Sequence, residues 1–270
     1  IVEFIHRIRS AIALVPVLLL VIACWRTFAP GHWARKTALA ATVLMGVEAG
    51  IGAALVLLKY VGDNASIGRA LILGVHLANT LLLLAAIAFT AWWASGRPAP
   101  ALTALGKRGW WFAAALAAFV AVGMVGTVAS LGDMLFPVRS LAAGLLQDRD
   151  STAHLFLRLR VWHPVLAILA GSGFILLAGA AIRWRDEPAV RAAARAVVTM
   201  VLVQWCVGAS ALILLVPVAL QLLHLLTADL LWLALIWLTA AVFSTQTGRT
   251  SPATRRAASA SNTVPAPSSR

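Results

Sequence analysis

The sequence predicts an all-α polytopic membrane protein, and three observations carry that expectation. Hydrophobic residues make up 61% of the 270 positions and charged residues 11%, whereas a water-soluble domain needs roughly 25–35% charge on its surface. The apolar residues gather into runs of about 20, the length that spans a hydrocarbon core. Basic residues fall in alternate connections between those runs, as the positive-inside rule requires of a multi-pass protein.

Seven spans follow, near 3–26, 37–59, 68–95, 109–131, 156–183, 191–215 and 217–245. Stretches such as Val165 to Ile182 are apolar on nearly every face, which suits helices buried in lipid and in one another. Barrel strands would instead run about ten residues with period-two alternation. The first run is long enough to span and shows no signal-peptide pattern. The formal charge of +13 resides in the connections, not on one solvated face, so nucleic acid is not an expected partner.

Arg26, Arg35 and Lys36, then Arg97, Lys107 and Arg108, then Arg183, Arg185, Arg191 and Arg195 mark the cytoplasmic connections. The segment 246–270, with Arg249, Arg255, Arg256 and Arg270, reads as a disordered cytoplasmic tail rich in Ser, Ala, Pro and Thr. Asp63, Asp133, Asp148 and Asp150 fall in the opposite, outer connections. Cys24 and Cys206 lie in different spans at different depths, so no bridge between them is expected.

The chain carries an internal repeat. Val47-Glu48-Ala49-Gly50-Ile51-Gly52-Ala53-Ala54 aligns with Val203-Gln204-Trp205-Cys206-Val207-Gly208-Ala209-Ser210, and each precedes a histidine helix, bearing His76 in one case and His224 in the other. Upstream, Phe4-Ile5-His6-Arg7 and Val161-Trp162-His163-Pro164 each open a span. A duplication accounts for both matches. Only the second copy has a helix, near 109–131, before its first histidine. The expectation is therefore two pseudo-symmetric four-helix bundles, an eight-helix plan whose first helix is absent from this sequence. The N-terminal half-bundle covers 1–95, a cytoplasmic linker 96–108, the C-terminal bundle 109–245 and the tail 246–270.

Six histidines are present; His6, His76, His163 and His224 lie within spans, and His32 and His154 in connections. A histidine inside a membrane usually faces the bundle interior and often marks function. The four helices concerned all run from outside to inside, and each bears its histidine in its first few turns. At a rise of about 1.5 Å per residue this places the imidazoles at one depth, roughly 10 Å below the outer boundary. Paired imidazoles at matched depth suit bis-histidine ligation of haem iron. For any one of them, a hydrogen bond to a neighbouring helix is the plainer role. Zinc or copper finds no clustered Cys, Asp or second His beside any of the four.

These residues resemble the haem A synthase family over nearly the whole chain. The resemblance rests on Glu3-Phe4-Ile5-His6-Arg7, on His76-Leu77-Ala78-Asn79-Thr80, on Arg158-Leu159-Arg160-Val161-Trp162-His163-Pro164 and on His224-Leu225-Leu226-Thr227-Ala228-Asp229-Leu230-Leu231-Trp232. It implies that His163 and His224 ligate the iron of a haem b cofactor. His6 and His76 would mark the site where haem O, as substrate, has a ring methyl oxidised to a formyl group, giving haem A for terminal oxidases. Haem O synthase and terminal oxidase assembly factors are the implied partners beside the lipid bilayer. The implied location is the cell membrane, with the haem sites toward the outer leaflet. A cysteine pair found in the first outer loop of many members has no counterpart here, and Glu48 stands where glutamine is common.

Glu3 lies three positions before His6, on the same helical face, and is the candidate catalytic residue, as a proton acceptor or an electrostatic stabiliser; pairing with Arg7 or Arg9 is the structural alternative. Glu48 and Gln204 are candidates to support a ligand histidine or carry protons, or else form hydrogen bonds to a facing helix. Asp229 faces another side of its helix from His224. Arg7, Arg69, Arg158 and Arg160 are placed to pair with haem propionates, or to anchor the interface with the neighbouring Trp residues. The rival function is a di-haem membrane cytochrome b that relays electrons and modifies neither haem.

Overall fold

The computed structural model describes residues 2–97 and 106–244, with side chains from residue 12 onward. The tail, most of the linker, and the side chains of Glu3, His6, Arg7 and Arg9 lie outside the described residues.

Seven long helices match the seven expected spans: α1 (Val2–Thr27), α2 (Trp33–Leu57), α3 (Ile67–Ala94), α4 (Gly106–Leu135), α7 (Trp162–Trp184), α8 (Pro188–Ile213) and α9 (Val218–Phe243). Two short helices, α5 (Leu141–Arg149) and α6 (Leu155–Arg160), fold the connection between α4 and α7. Among the described residues, six helical stretches are long and apolar enough to cross a membrane, and Ile12–Thr27 is a shorter apolar helix. Large side chains such as Leu57, Trp110 and Leu176 are more than 70% exposed, which suits hydrocarbon as the surrounding solvent. Cys24 is buried, Cys206 exposed, and both are free.

The two connection histidines cap helices. Nδ1 of His32 accepts a hydrogen bond from the backbone N–H of Ala34 (3.1 Å), at the start of α2, and Nδ1 of His154 accepts from Phe156 (3.3 Å), at the start of α6. Ser66 and Ser140 cap α3 and α5 in the same way. Each satisfies a donor that the helix itself leaves unpaired.

Helices α4, α7, α8 and α9 pack as a closed ring of neighbours; α1 packs on α2 and α2 on α3, in the order of α7, α8 and α9. The two sets meet where α3 contacts α4 and α9. Trp232 on α9 donates its indole N–H to the carbonyl of Leu81 on α3 (2.7 Å) and tilts against Phe119 of α4. Thr90 of α3, fully buried, meets Thr37 of α2 hydroxyl to hydroxyl at 2.9 Å.

The largest buried cluster lies toward one end of the bundle. In α9, ten residues from Thr227 to Phe243 are buried, while every residue from Val218 to Leu226 is exposed or half-buried. In α2 the buried residues are Ala34, Ala38 and Ala41, and none from Thr42 to Leu57 is buried. The main core therefore fills the cation-rich end, and a smaller buried cluster of Ala70, Leu131 and Phe156 lies at the other. The within-span histidines occupy the opposite, looser end.

That end is covered in the second half by α5 and α6. Arg160 binds Asp133 of α4 through Nη1 (2.7 Å) and Asp148 of α5 through Nε (3.1 Å) and Nη2 (2.5 Å). Expected as outer-loop acids in water, Asp133 and Asp148 are instead largely enclosed, with side-chain exposures of 22% and 12%. One fork-shaped guanidinium serves both acids, which offsets the cost of enclosing their charges.

Candidate haem-binding sites

His163 is the second residue of α7 and projects against α4; an added Cβ on Gly126 would come within 2.7 Å of its Cε1 atom. His224 projects from α9 against α8, where a Cβ on Gly208 would lie 3.1 Å from its Cε1. The two rings meet edge to face with centroids 6.2 Å apart and planes at 80°. Imidazoles ligating one iron from opposite sides, with bonds of about 2 Å, have ring centres about 6 Å apart. Nδ1 of both rings is buried without a hydrogen-bond partner, and a buried polar atom without a partner is costly unless something satisfies it. The donor set thus fits an iron held between two neutral imidazoles.

Gln204 orients one side of the pair. Its amide nitrogen contacts His224 Nε2 and donates to the His224 carbonyl, each at 3.2 Å, and its carbonyl oxygen accepts from the Thr227 hydroxyl. Trp205, the next residue, donates to the carbonyl of Ala167 on α7 (3.2 Å) and lies over Gly171, where a Cβ would meet the indole at 2.8 Å. A single turn of α8 thereby fixes both histidine-bearing helices.

The first half builds the related arrangement around His76. Glu48 on α2 stands at the repeat position of Gln204, and its Oε1 lies 3.3 Å from His76 Nδ1, outside hydrogen-bonding geometry. Asn79 donates from its amide to Glu48 Oε2 (2.5 Å) and to the Leu44 carbonyl (3.0 Å), and the Thr80 hydroxyl donates to Glu48 Oε1. Glu48 is about one-fifth exposed at the side chain, and three polar groups gather on its carboxylate. Of the roles open to it from sequence, the hydrogen bond to a facing helix is seen, through Asn79 and Thr80 of α3. Asp229 lies one helical turn or more beyond His224 and is half-buried.

Of the candidate propionate partners, Arg69 is buried, with Nη1 donating to the carbonyls of Gly62 (2.6 Å) and Asn64 (2.9 Å) and Nε buried without a partner. That orphaned donor fits an anionic group. Arg158 is exposed. Arg160 has its fork filled by Asp133 and Asp148, so it braces α4, α5 and α6 together close to His163 in the chain. Gly126, Gly208 and Trp205 escape sequence reasoning because nothing in a span distinguishes a glycine under a ring from one packed on a helix. The alignment of Gly52 with Gly208 in the repeat was the available signal.

A multi-span helical bundle with a histidine pair near one end, and a related histidine in its other half, places the chain among polytopic membrane proteins with buried imidazoles. Residues 1–236 match the profile of a family described as "Cytochrome oxidase assembly protein". The chain belongs to that family, the haem A synthase family its motifs resemble. It is also 40% identical over 238 residues to proteins named "Protoheme IX farnesyltransferase" from two strains of Thermus thermophilus. Those matches cover 88% of this chain and 39% of each relative, so the chain spans about two fifths of the length of the curated relatives it matches. No solved structure matches.

Proposed function

We propose that this chain acts as a haem A synthase, oxidising the ring methyl of haem O to the formyl group of haem A for terminal oxidases. The observation that carries the reading is the neighbouring pair His163 and His224, with ring centres 6.2 Å apart as one iron would need, in a chain of the oxidase assembly family. The names of the Thermus relatives concern protoheme IX, which supports haem as the ligand. Farnesyl transfer is not carried over, because the match spans only part of those proteins.

In this reading His163 and His224 hold haem b, and His6 with His76 receives haem O. Bound haem supplies one-electron redox chemistry, its potential set by its ligands and their hydrogen bonds. Methyl to formyl adds one oxygen atom; with water as its source, four electrons and four protons leave, the electrons to an external acceptor. Glu3, one turn from His6, accepts a proton at the reacting carbon. Glu48 places a carboxylate 3.3 Å from His76 Nδ1, held there by Asn79 and Thr80, where it would support a ligand imidazole electrostatically. Gln204 holds His224 in its turn with a neutral amide. The haem sites face the outer leaflet of the cell membrane, and the product passes to oxidase assembly factors from a substrate delivered by haem O synthase.

Expression in cells that make haem O but no haem A tests this directly. Chromatography of extracted haems should show haem A with the wild-type chain and its loss in Glu3→Ala, with bound haem retained. Bound haem B with no haem A in any variant favours the electron-relaying di-haem cytochrome b.

A further inference from the structure

At the cation-rich end, far from the within-span histidines, a groove of about 620 Å³ opens between α3, α8 and α9. Its walls come from both halves: Leu84, Ala88 and Trp92 on α3, Ala193 and Ala196 on α8, and Trp237 on α9. Apart from Arg97, every lining residue is apolar. Arg97 stands at the mouth with its guanidinium carbon 4.1 Å from the ring centre of Trp92 and 5.0 Å from that of Trp237, rings that meet edge to face at 5.9 Å.

Some arginines at this end are paired; others, Arg35 over Trp25 and Arg108 over Trp184, meet an indole as Arg97 does, and among them Arg97 is the one that lines the groove. Arg185 binds Glu187 and the carbonyls of Val242 and Ser244, and Arg191 binds Asp186. Arg97 has no carboxylate or hydrogen-bond partner among the described residues. Cation–π contact holds a guanidinium near the indoles without using its N–H donors, which stay available to bind a phosphate. A long apolar slot ending at one fixed cation matches an amphiphile with an anionic head. Basic pockets between transmembrane helices at the cytoplasmic face are recognised settings for such headgroups.

We infer that the groove between α3, α8 and α9 is a binding site for one anionic phospholipid, its phosphate on Arg97 and an acyl chain along the seam between the two halves. The occupant would fill the seam on the cytoplasmic side of the Trp232–Leu81 tie. This inference is independent of the haem chemistry.

The test uses the full chain reconstituted in nanodiscs of phosphatidylglycerol and phosphatidylcholine mixed equally, with retained lipid read by native mass spectrometry after transfer to detergent. About one phosphatidylglycerol per chain should persist, and Arg97→Gln should weaken its retention relative to phosphatidylcholine by roughly fivefold, the effect of one interfacial cation. Arg191→Gln should leave retention unchanged. Ala193→Phe, which fills the slot, should release the lipid while Arg97 stays. Elution profile and thermal melting report whether each variant folds; if Arg97→Gln misfolds, Arg97→Lys replaces it, expected to keep the charge and part of the preference. Equal retention of both lipids by wild type and variant, retention of neither, or occupation by a prenylated haem alone would overturn the inference.

Discussion

Glu48 beside His76 and Gln204 beside His224 occupy the same position in a duplicated helix pair, yet one presents a carboxylate and the other an amide. An amide can donate and accept; an ionised carboxylate only accepts. The first half therefore collects donors, Asn79 and Thr80, around its acid, while the second half needs only Thr227. A duplication keeps the backbone and changes the electrostatics of each site through one side chain.

The largest break in the comparison comes from the ligands. His163→Ala or His224→Ala should abolish the low-spin bis-histidine absorbance of the second-half haem, because one remaining imidazole cannot complete the axial pair; retained absorbance in both would remove that pair from the site. Gly126→Ala should come next, since its Cβ would sit 2.7 Å from the His163 ring and a ring packed against helix backbone has little room to yield. Haem affinity measured by titration of the apoprotein should fall by about tenfold or more, the cost of disturbing a ligand's surroundings.

Exchanging the paired residues sharpens the comparison. Glu48→Gln should weaken haem binding at the first-half site by about tenfold and raise the midpoint potential there, because a carboxylate near a ligand imidazole makes it more basic and favours the oxidised iron. Gln204→Glu should lower the potential of the second-half haem in spectroelectrochemical titration. The smallest contrast is between the aligned glycines. A Cβ at Gly52 meets nothing within 4 Å, whereas one at Gly208 meets His224 at 3.1 Å. Gly52→Ala should leave haem spectra and melting unchanged, and Gly208→Ala should shift the spectrum.

Much of this was readable from the chain. Seven spans follow from apolar runs, since lipid leaves a helix little choice of pattern, and the repeat points to the nearness of His163 and His224; the expected partner of His76, His6, lies outside the described side chains. What sequence could not give was contact across distance. Helices α5 and α6, nine and six residues long, are too short for any spanning window to register. Arg160 reads as a propionate partner or an interface anchor until folding brings Asp133, 27 positions earlier, and Asp148 onto its fork. Nothing local to Gly126 announces a histidine lying over it from another helix.

The central claim is that the two histidine sets are unequal and that the second holds the resident haem. It is tested most directly by extracting pigment from purified wild type, His76→Ala and His163→Ala. Haem B should persist in His76→Ala and vanish from His163→Ala. Loss of haem B from His76→Ala with retention in His163→Ala would contradict it.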